Sequence, residues 1–238
     1  MWSNDRSEAA LEAALPAAIE IRRIRSARRL RLRYDDGAGI LKLTCPVRTS
    51  RKAALTWALD QREWIESQLR AALPPQPFES GGAIPILGEE VRLLWEASAP
   101  RTPALEDGVL KCGGPQSRFA ARVERYLKTL ALDVMSQDVA NYAARAGVSV
   151  ASVAVGDAVS RWGSCSSRGA IRLSWRLILA PPDVRRYVVA HEVAHRVHLN
   201  HGAAFKALEA QLFGPGVATA KAALRRLGPR LRRVGRGR

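Results

Sequence analysis

The sequence predicts an α+β protein, and three observations predict it. Segments with the two-residue period of half-buried strands gather in the first half of the chain around one helical stretch. Long runs with helical spacing fill the second half, and Pro, Gly and Asp clusters punctuate the two. With 238 residues, 47% apolar and 25% charged, the chain can bury one sizeable core or two small ones and is too aliphatic to stay disordered.

From Ile21 to Tyr34 the chain reads IRRIRSARRLRLRY, and its end alternates Leu30, Leu32 and Tyr34 with Arg29, Arg31 and Arg33. After DDGAG comes ILKLTCPV, with Leu41, Leu43 and Cys45 on one face. Asp36-Gly37 is a strong turn signal, so these two segments predict a hairpin with an arginine-covered outer face. Residues 50–73 predict one amphipathic helix that starts at Ser50 and stops before Pro74-Pro75. PPQPFESGGAIP then marks a connection, and ILGEEVRLLWEA and GVLKC predict two or three short strands around the turn-rich SAPRTPALEDG.

Residues 116–146 keep helical spacing through Phe119, Val123, Leu127, Leu130 and Val134, and Gly147 suits the left-handed residue that ends a helix. Strand SVASVAV, the loop DAVSRWGSCSSRG and strand AIRLSW follow, and AIRLSW is expected to offer a sheet edge to an extended peptide. Pro181-Pro182-Asp183 opens a helix carrying VRRYVVAHEVAHRVHL, where proline fits the first turn and Asp183 complements the positive end of the dipole. A further helix, AAFKALEAQLF, a last short helix and a basic tail complete the chain. We see no internal repeat.

The three cysteines are widely spaced without a CxxC, which excludes a disulfide framework and points to a reducing compartment. No segment resembles a signal peptide or a membrane span, so the chain reads as cytoplasmic and unanchored. The formal net charge of +16 is the one abnormal bulk property, and seven Arg and one Lys of the last 18 residues supply half of it. Such a basic C-terminal tail can contact nucleic acid, although no DNA- or RNA-reading motif accompanies it.

All four histidines of the chain fall in HEVAHRVHLNH, residues 191–201. On a helix, His191 and His195 leave the same face one turn apart, so that both imidazoles can reach one ion. Glu192 is rotated by about 100° from His191, wrong for a third ligand and right for taking a proton from a water that the ion holds. This is HExxH; four His and thirteen Glu scattered at random would produce it on the order of a few times in a thousand such chains.

A catalytic zinc takes a third protein ligand and keeps one position open. His198 faces the right way but would lie about 10.5 Å along an unbroken helix from His191. His201 follows Asn200 and precedes Gly202, where the chain can turn back through a left-handed residue, and it is the favoured third ligand. Glu209 on the next helix is the other candidate. His198 is then left to face substrate or to support a ligand. Arg161, in the RWGSC segment, either belongs to a turn that packs Trp162 on the core or reaches the cleft to hold an anion or a developing oxyanion. Cys165 is not needed as a nucleophile once the histidines hold a metal.

SRWGSCSSRGAIRLSWRLILAPPDVRRYVVAHEVAHRVHLNHGAAF resembles the signature of the YgjP-like metallopeptidases, and the arginine-rich hairpin, REWI and IPILG resemble their amino-terminal half. SprT-type zincins look like more distant relatives. The resemblance implies a zincin-like α+β core, one catalytic Zn2+ on His191, His195 and His201, and Glu192 as catalytic acid/base. On that basis the chain is expected to divide into an extension at 1–19, a β-rich lobe at 20–115, a zincin-like catalytic lobe at 116–227 and a basic tail at 228–238. The expected activity is hydrolysis of polypeptide. The alternatives are hydrolysis of a nucleotide phosphoanhydride by the same ion and base, or a nucleic-acid-associated protein whose metal is structural.

Overall fold

A computed structural model describes residues 7–35, 38–158 and 160–237. The turn predicted at Asp36-Gly37 lies outside the described residues, as do Val159 of the RWGSC-bearing loop and Arg238 of the tail. The chain is a mixed α+β protein of two units, Met1–Pro74 and Pro75–Arg238.

In the first unit, helix α1 (Glu8–Ala13) is capped by Ser7, and strands β1 (Ile19–Ile24), β2 (Arg31–Asp35) and β3 (Ile40–Pro46) form a sheet in the order β1-β3-β2. The hairpin β2-β3 is antiparallel as expected, and Leu41, Leu43 and Cys45 are fully buried on one face of β3. β1 joins the other edge in parallel. The single helix expected over 50–73 is two: α2 (Arg51–Asp60), capped by the Ser50 hydroxyl, and α3 (Arg62–Ala71). Gln61 between them leaves helical geometry, and its N–H bonds to Ala58 and Leu59 carbonyls. Leu11, Leu15, Leu41, Leu55, Ala58 and Ile65 form this unit's own core.

The second unit opens with strands β4 (Ala83–Ile86), β5 (Glu89–Trp95), β6 (Ala104–Glu106) and β7 (Val109–Cys112), ordered β4-β5-β7-β6. Helix α4 (Phe119–Ala146) ends at Gly147, which is left-handed at φ 64° as its sequence position predicts. Strands β8 (Ser152–Gly156), β9 (Gly163–Cys165) and β10 (Ala170–Ser174) form a second sheet in the order β8-β10-β9. Helices α5 (Pro182–Ala194), α6 (Ala203–Phe213) and α7 (Val217–Arg233) follow.

The structure differs from the sequence reading in three further places. The boundary falls at Pro74/Pro75 rather than at 115/116, because Ile84, Ile86, Val91, Leu93 and Leu110 share one continuous core with α4 and α5. Strands with one apolar face need a cover, and the long α4 provides it through Val123, Leu127, Ala131 and Met135. Second, residues 228–237 are not a free tail. Leu224, Leu227, Leu231 and Val234 recur at helical spacing among the arginines, and Leu231 and Val234 are buried. Third, AIRLSW is no sheet edge: β10 pairs with β8 on one side and β9 on the other. Among the described residues, no helix is long and apolar enough to cross a membrane.

A buried ion pair fastens α5 to α4. Arg185 donates to Asp138 at 2.8 Å, with side-chain exposures of 4% and 11%, and Arg186 approaches the same carboxylate at 3.6 Å. Removing one member strands a charge in a low-dielectric site. Asp138→Ala is expected to lower unfolding free energy by about 3 kcal/mol, read from urea denaturation midpoints at constant slope.

Candidate metal centre

Helix α5 stops at Ala194, earlier than the expected run through Leu199, and this early stop builds the site. His195 caps the helix in the right-handed region, so the one-turn spacing from His191 survives, with ring centroids 5.0 Å apart. Beyond it, Arg196 donates its N–H to Val193 and Val197 and His198 donate theirs to Ala194, which closes the helix in a tight turn. The chain then returns, and His201 brings its Nε2 to 3.2 Å from His191 Nε2. The return does not use a left-handed Asn200 or Gly202. Instead the Asn200 side chain accepts the Gly202 N–H at 3.2 Å, and Gly202 is extended at φ −69° and ψ −173°.

Each of His191, His195 and His201 offers a ring nitrogen within 4.8 Å of the others. Glu209 on α6 takes the far side of His191, with Oε1 2.6 Å from Nδ1. His195 directs its Nδ1 at the His198 carbonyl, 3.0 Å away. A neutral imidazole that donates from Nδ1 presents a lone pair at Nε2, which is what a metal ligand must do. Burial also pushes His191 below the usual histidine pKa, against the pull of Glu209. Glu209 is therefore engaged as the orienting group for His191. His198 serves His195 through its carbonyl rather than its ring.

Phe205, buried on α6, packs against the three imidazoles with centroid distances of 5.0, 4.6 and 4.8 Å and holds the rings in register. Tyr187 lies one turn before His191; burial, with the charge of Glu209, pushes its phenol up to about 12. Two Nε2 lone pairs facing each other at 3.2 Å repel unless a proton or cation sits between them. Ligands about 2.0 to 2.1 Å from a tetrahedral ion stand about 3.3 to 3.4 Å apart, so the 3.2 Å separation of the His191 and His201 nitrogens suits a small divalent cation.

Glu192 is 6% exposed and lies under β9. A Cβ on Gly163 would meet Glu192 Oε1 at 2.5 Å, so glycine is required there by close approach. Burial lifts the Glu192 carboxyl to about 7, and the Arg161 charge opposes that rise. A carboxyl that titrates near neutrality can both accept and return a proton. Arg161 is exposed on the loop, where its field reaches Glu192. Cys165 is half-buried and, chiefly through burial, its thiol is pushed up, away from nucleophilic use.

The loop leading to Gly163 is held by α7, a connection that sequence reasoning missed. Arg176 binds Asp157 at 2.6 and 3.2 Å and donates to the Leu231 and Val234 carbonyls, while Arg236 adds a bond to Asp157 at 2.8 Å. The Arg232 guanidinium lies 4.5 Å over the Trp162 ring, and Gly228 lets that ring approach the helix, since a Cβ there would stand 3.2 Å from it. The available signal was a glycine inside an otherwise helical, arginine-rich run.

A three-imidazole cluster on a helix end, oriented from behind by a carboxylate and flanked by a buried carboxyl, defines a metal-dependent hydrolase. The family agrees: the chain matches the model of the YgjP-like metallopeptidase domain over residues 28–227 and belongs to that family. No curated protein and no solved structure matches it.

Two outcomes follow from these contacts. Glu209→Ala frees the His191 ring, and the metal dissociation constant measured against a competing chelator is expected to rise about 10- to 100-fold. For Asp157, burial works to raise the carboxyl, but the hydrogen bonds and charge of Arg176, with Arg236, outweigh it and hold it below its ordinary 3.8. A carboxyl depressed in the folded state stabilises that state above its unfolded pKa and stops doing so as pH falls through the folded value. The melting-temperature gap between wild type and Asp157→Asn is therefore expected to be full at neutral pH and to close below about pH 4.

Proposed function

We propose that the chain is a zinc metallopeptidase built on a zincin-like core, with His191, His195 and His201 as ligands and Glu192 as general base and acid. The observation that carries this reading is the convergence of three imidazoles, two of them oriented through Nδ1, beside a buried carboxyl. A three-imidazole set with no thiolate suits zinc in a catalytic rather than a structural role. Held by these three imidazoles, zinc would supply Lewis acidity for acidifying a water and polarising a carbonyl.

The protein's own groups do the remainder. Glu192 accepts a proton from the attacking water and returns it to the leaving amine, a cycle its burial favours. Glu209 and the His198 carbonyl keep the ligand rings aimed, and Phe205 limits bulk water behind them. Polypeptide is the substrate favoured by the sheet edge. Among the described residues β9 pairs only with β10, so its outer edge, beside the face that covers Glu192, has no strand partner and suits an extended peptide. The free cysteines, two of them buried, suit a reducing cytoplasm.

Elemental analysis of purified wild type should return one zinc per chain, and His201→Ala should lose most of it. Glu192→Gln should keep the zinc while cleavage of an unfolded polypeptide falls about a hundred- to ten-thousandfold. Full cleavage by zinc-loaded Glu192→Gln, or a zinc content unaffected by His201→Ala, would refute the assignment.

A further inference from the structure

A cavity of about 600 Å³ lies against the sheet β8-β10-β9, and Asp157, Arg161, Gly163, Ser164, Arg172 and Ser174 contribute to its wall. Strand register says which face it occupies. Arg172 pairs with Ser164, and Ser174 is two residues further along β10, so these three share a face. Ile171 and Leu173 point the other way, into the core.

The charge of the cavity is positive and uncompensated. Asp157, its one acid, is taken up by Arg176 and Arg236. Arg172 and Arg161 have no ion-pair partner within bonding reach among the described residues; Arg161 only extends its field to Glu192.

Gly163 joins this cavity to the chemistry, because the same residue lines the wall and lies on the Glu192 carboxylate. A peptide paired with the open edge of β9 would send alternate side chains toward the Arg172 face. We propose that the cavity is a substrate subsite for an acidic side chain, its carboxylate received by Arg161 and Arg172. This rests on the metallopeptidase reading and adds the substrate class to it. Two guanidinium groups match the acceptor-only chemistry of a carboxylate and repel a basic side chain.

The test uses labelled peptide libraries of random sequence that differ in one fixed central position, Glu, Gln or Lys. Zinc-loaded wild type should cleave the Glu library about tenfold faster than the Gln library at sub-saturating concentration. Arg172→Glu should shift the preference to the Lys library. Fluorescence anisotropy with Glu192→Gln protein reads the same subsite without turnover: the Glu library should bind about tenfold more tightly than the Gln library. Adding Arg172→Ala should bring that ratio to about one. Equal binding of the two libraries, or a preference that survives Arg172→Ala, overturns the subsite. Discriminating binding with no library cleaved upholds the subsite and assigns the failure to the peptidase reading.

Discussion

The hydrogen bond between His191 Nδ1 and Glu209, at 2.6 Å, is the constraint from which the site follows. An imidazole has two nitrogens and, when neutral, one proton, so fixing the donor at Nδ1 fixes the lone pair at Nε2 and aims it at the centre. The partner must come from another element, since no residue of α5 can reach behind its own histidine while holding the ring inward. Helix α6 meets this need with two residues one turn apart. Phe205 packs on the rings and Glu209 orients one of them, so docking α6 on α5 both covers and aligns the cluster. The early end of α5 is the complementary condition. An unbroken helix would have carried residues 196–201 away along its axis, whereas the closed turn at Ala194 returns His201 to within 3.2 Å of His191.

Glu192 is positioned by a different principle, steric contact across a missing side chain. Gly163 lets the β9 backbone press on Glu192, which excludes water from the carboxyl and raises its pKa. Such a contact is only as accurate as the strand that makes it, and β9 has three residues. Its stability is supplied at both ends of the preceding loop, by Asp157 on Arg176 and by Trp162 on α7. Arg176 is buried and donates to carbonyls near the end of α7, groups that lack helical partners and carry the negative end of the dipole. One guanidinium thus ends a helix, binds the loop's acid and secures the strand above the Glu192 carboxyl.

The parts of this arrangement that are local in sequence were legible, and those that depend on distant pairing were not. The HExxH spacing, the helix-opening prolines, the Ser50 cap and the left-handed Gly147 each follow from a few adjacent residues. The return of His201 to the other histidines was legible, though not its cause: Asn200 acts through its side chain and not through a left-handed backbone. Periodicity could not say that β10 is central, because a strand with Ile171 and Leu173 on one face reads alike at an edge or in the middle. Nor could it separate Glu209 as ligand from Glu209 as orienting group, a difference of a few ångströms set by helix docking. The arginines of α7 drew attention as a charge run and concealed the apolar stripe of Leu224, Leu227, Leu231 and Val234 beneath them.

That concealment bears on what the charge of +16 means. Part of it is architectural: Arg122 donates to the Pro115 carbonyl, Arg176 to Asp157 and α7, and Arg185 to Asp138, each buried. These cations do in the interior what a cap or an ion pair does, and their presence says nothing of partners. Exposed charges elsewhere are screened by salt over about 8 Å, so a total summed over the surface is equally uninformative about a reaction. What distinguishes Arg161 and Arg172 is that, among the described residues, they lack an acid and share a wall with Gly163, the residue that touches Glu192. Both guanidinium groups are exposed, so their weight comes from the wall they share and not from desolvation. Arg161 nevertheless opposes the rise in the Glu192 pKa, and an anion bound beside it would weaken that opposition, so occupancy of the wall and the acidity of Glu192 are coupled through one loop.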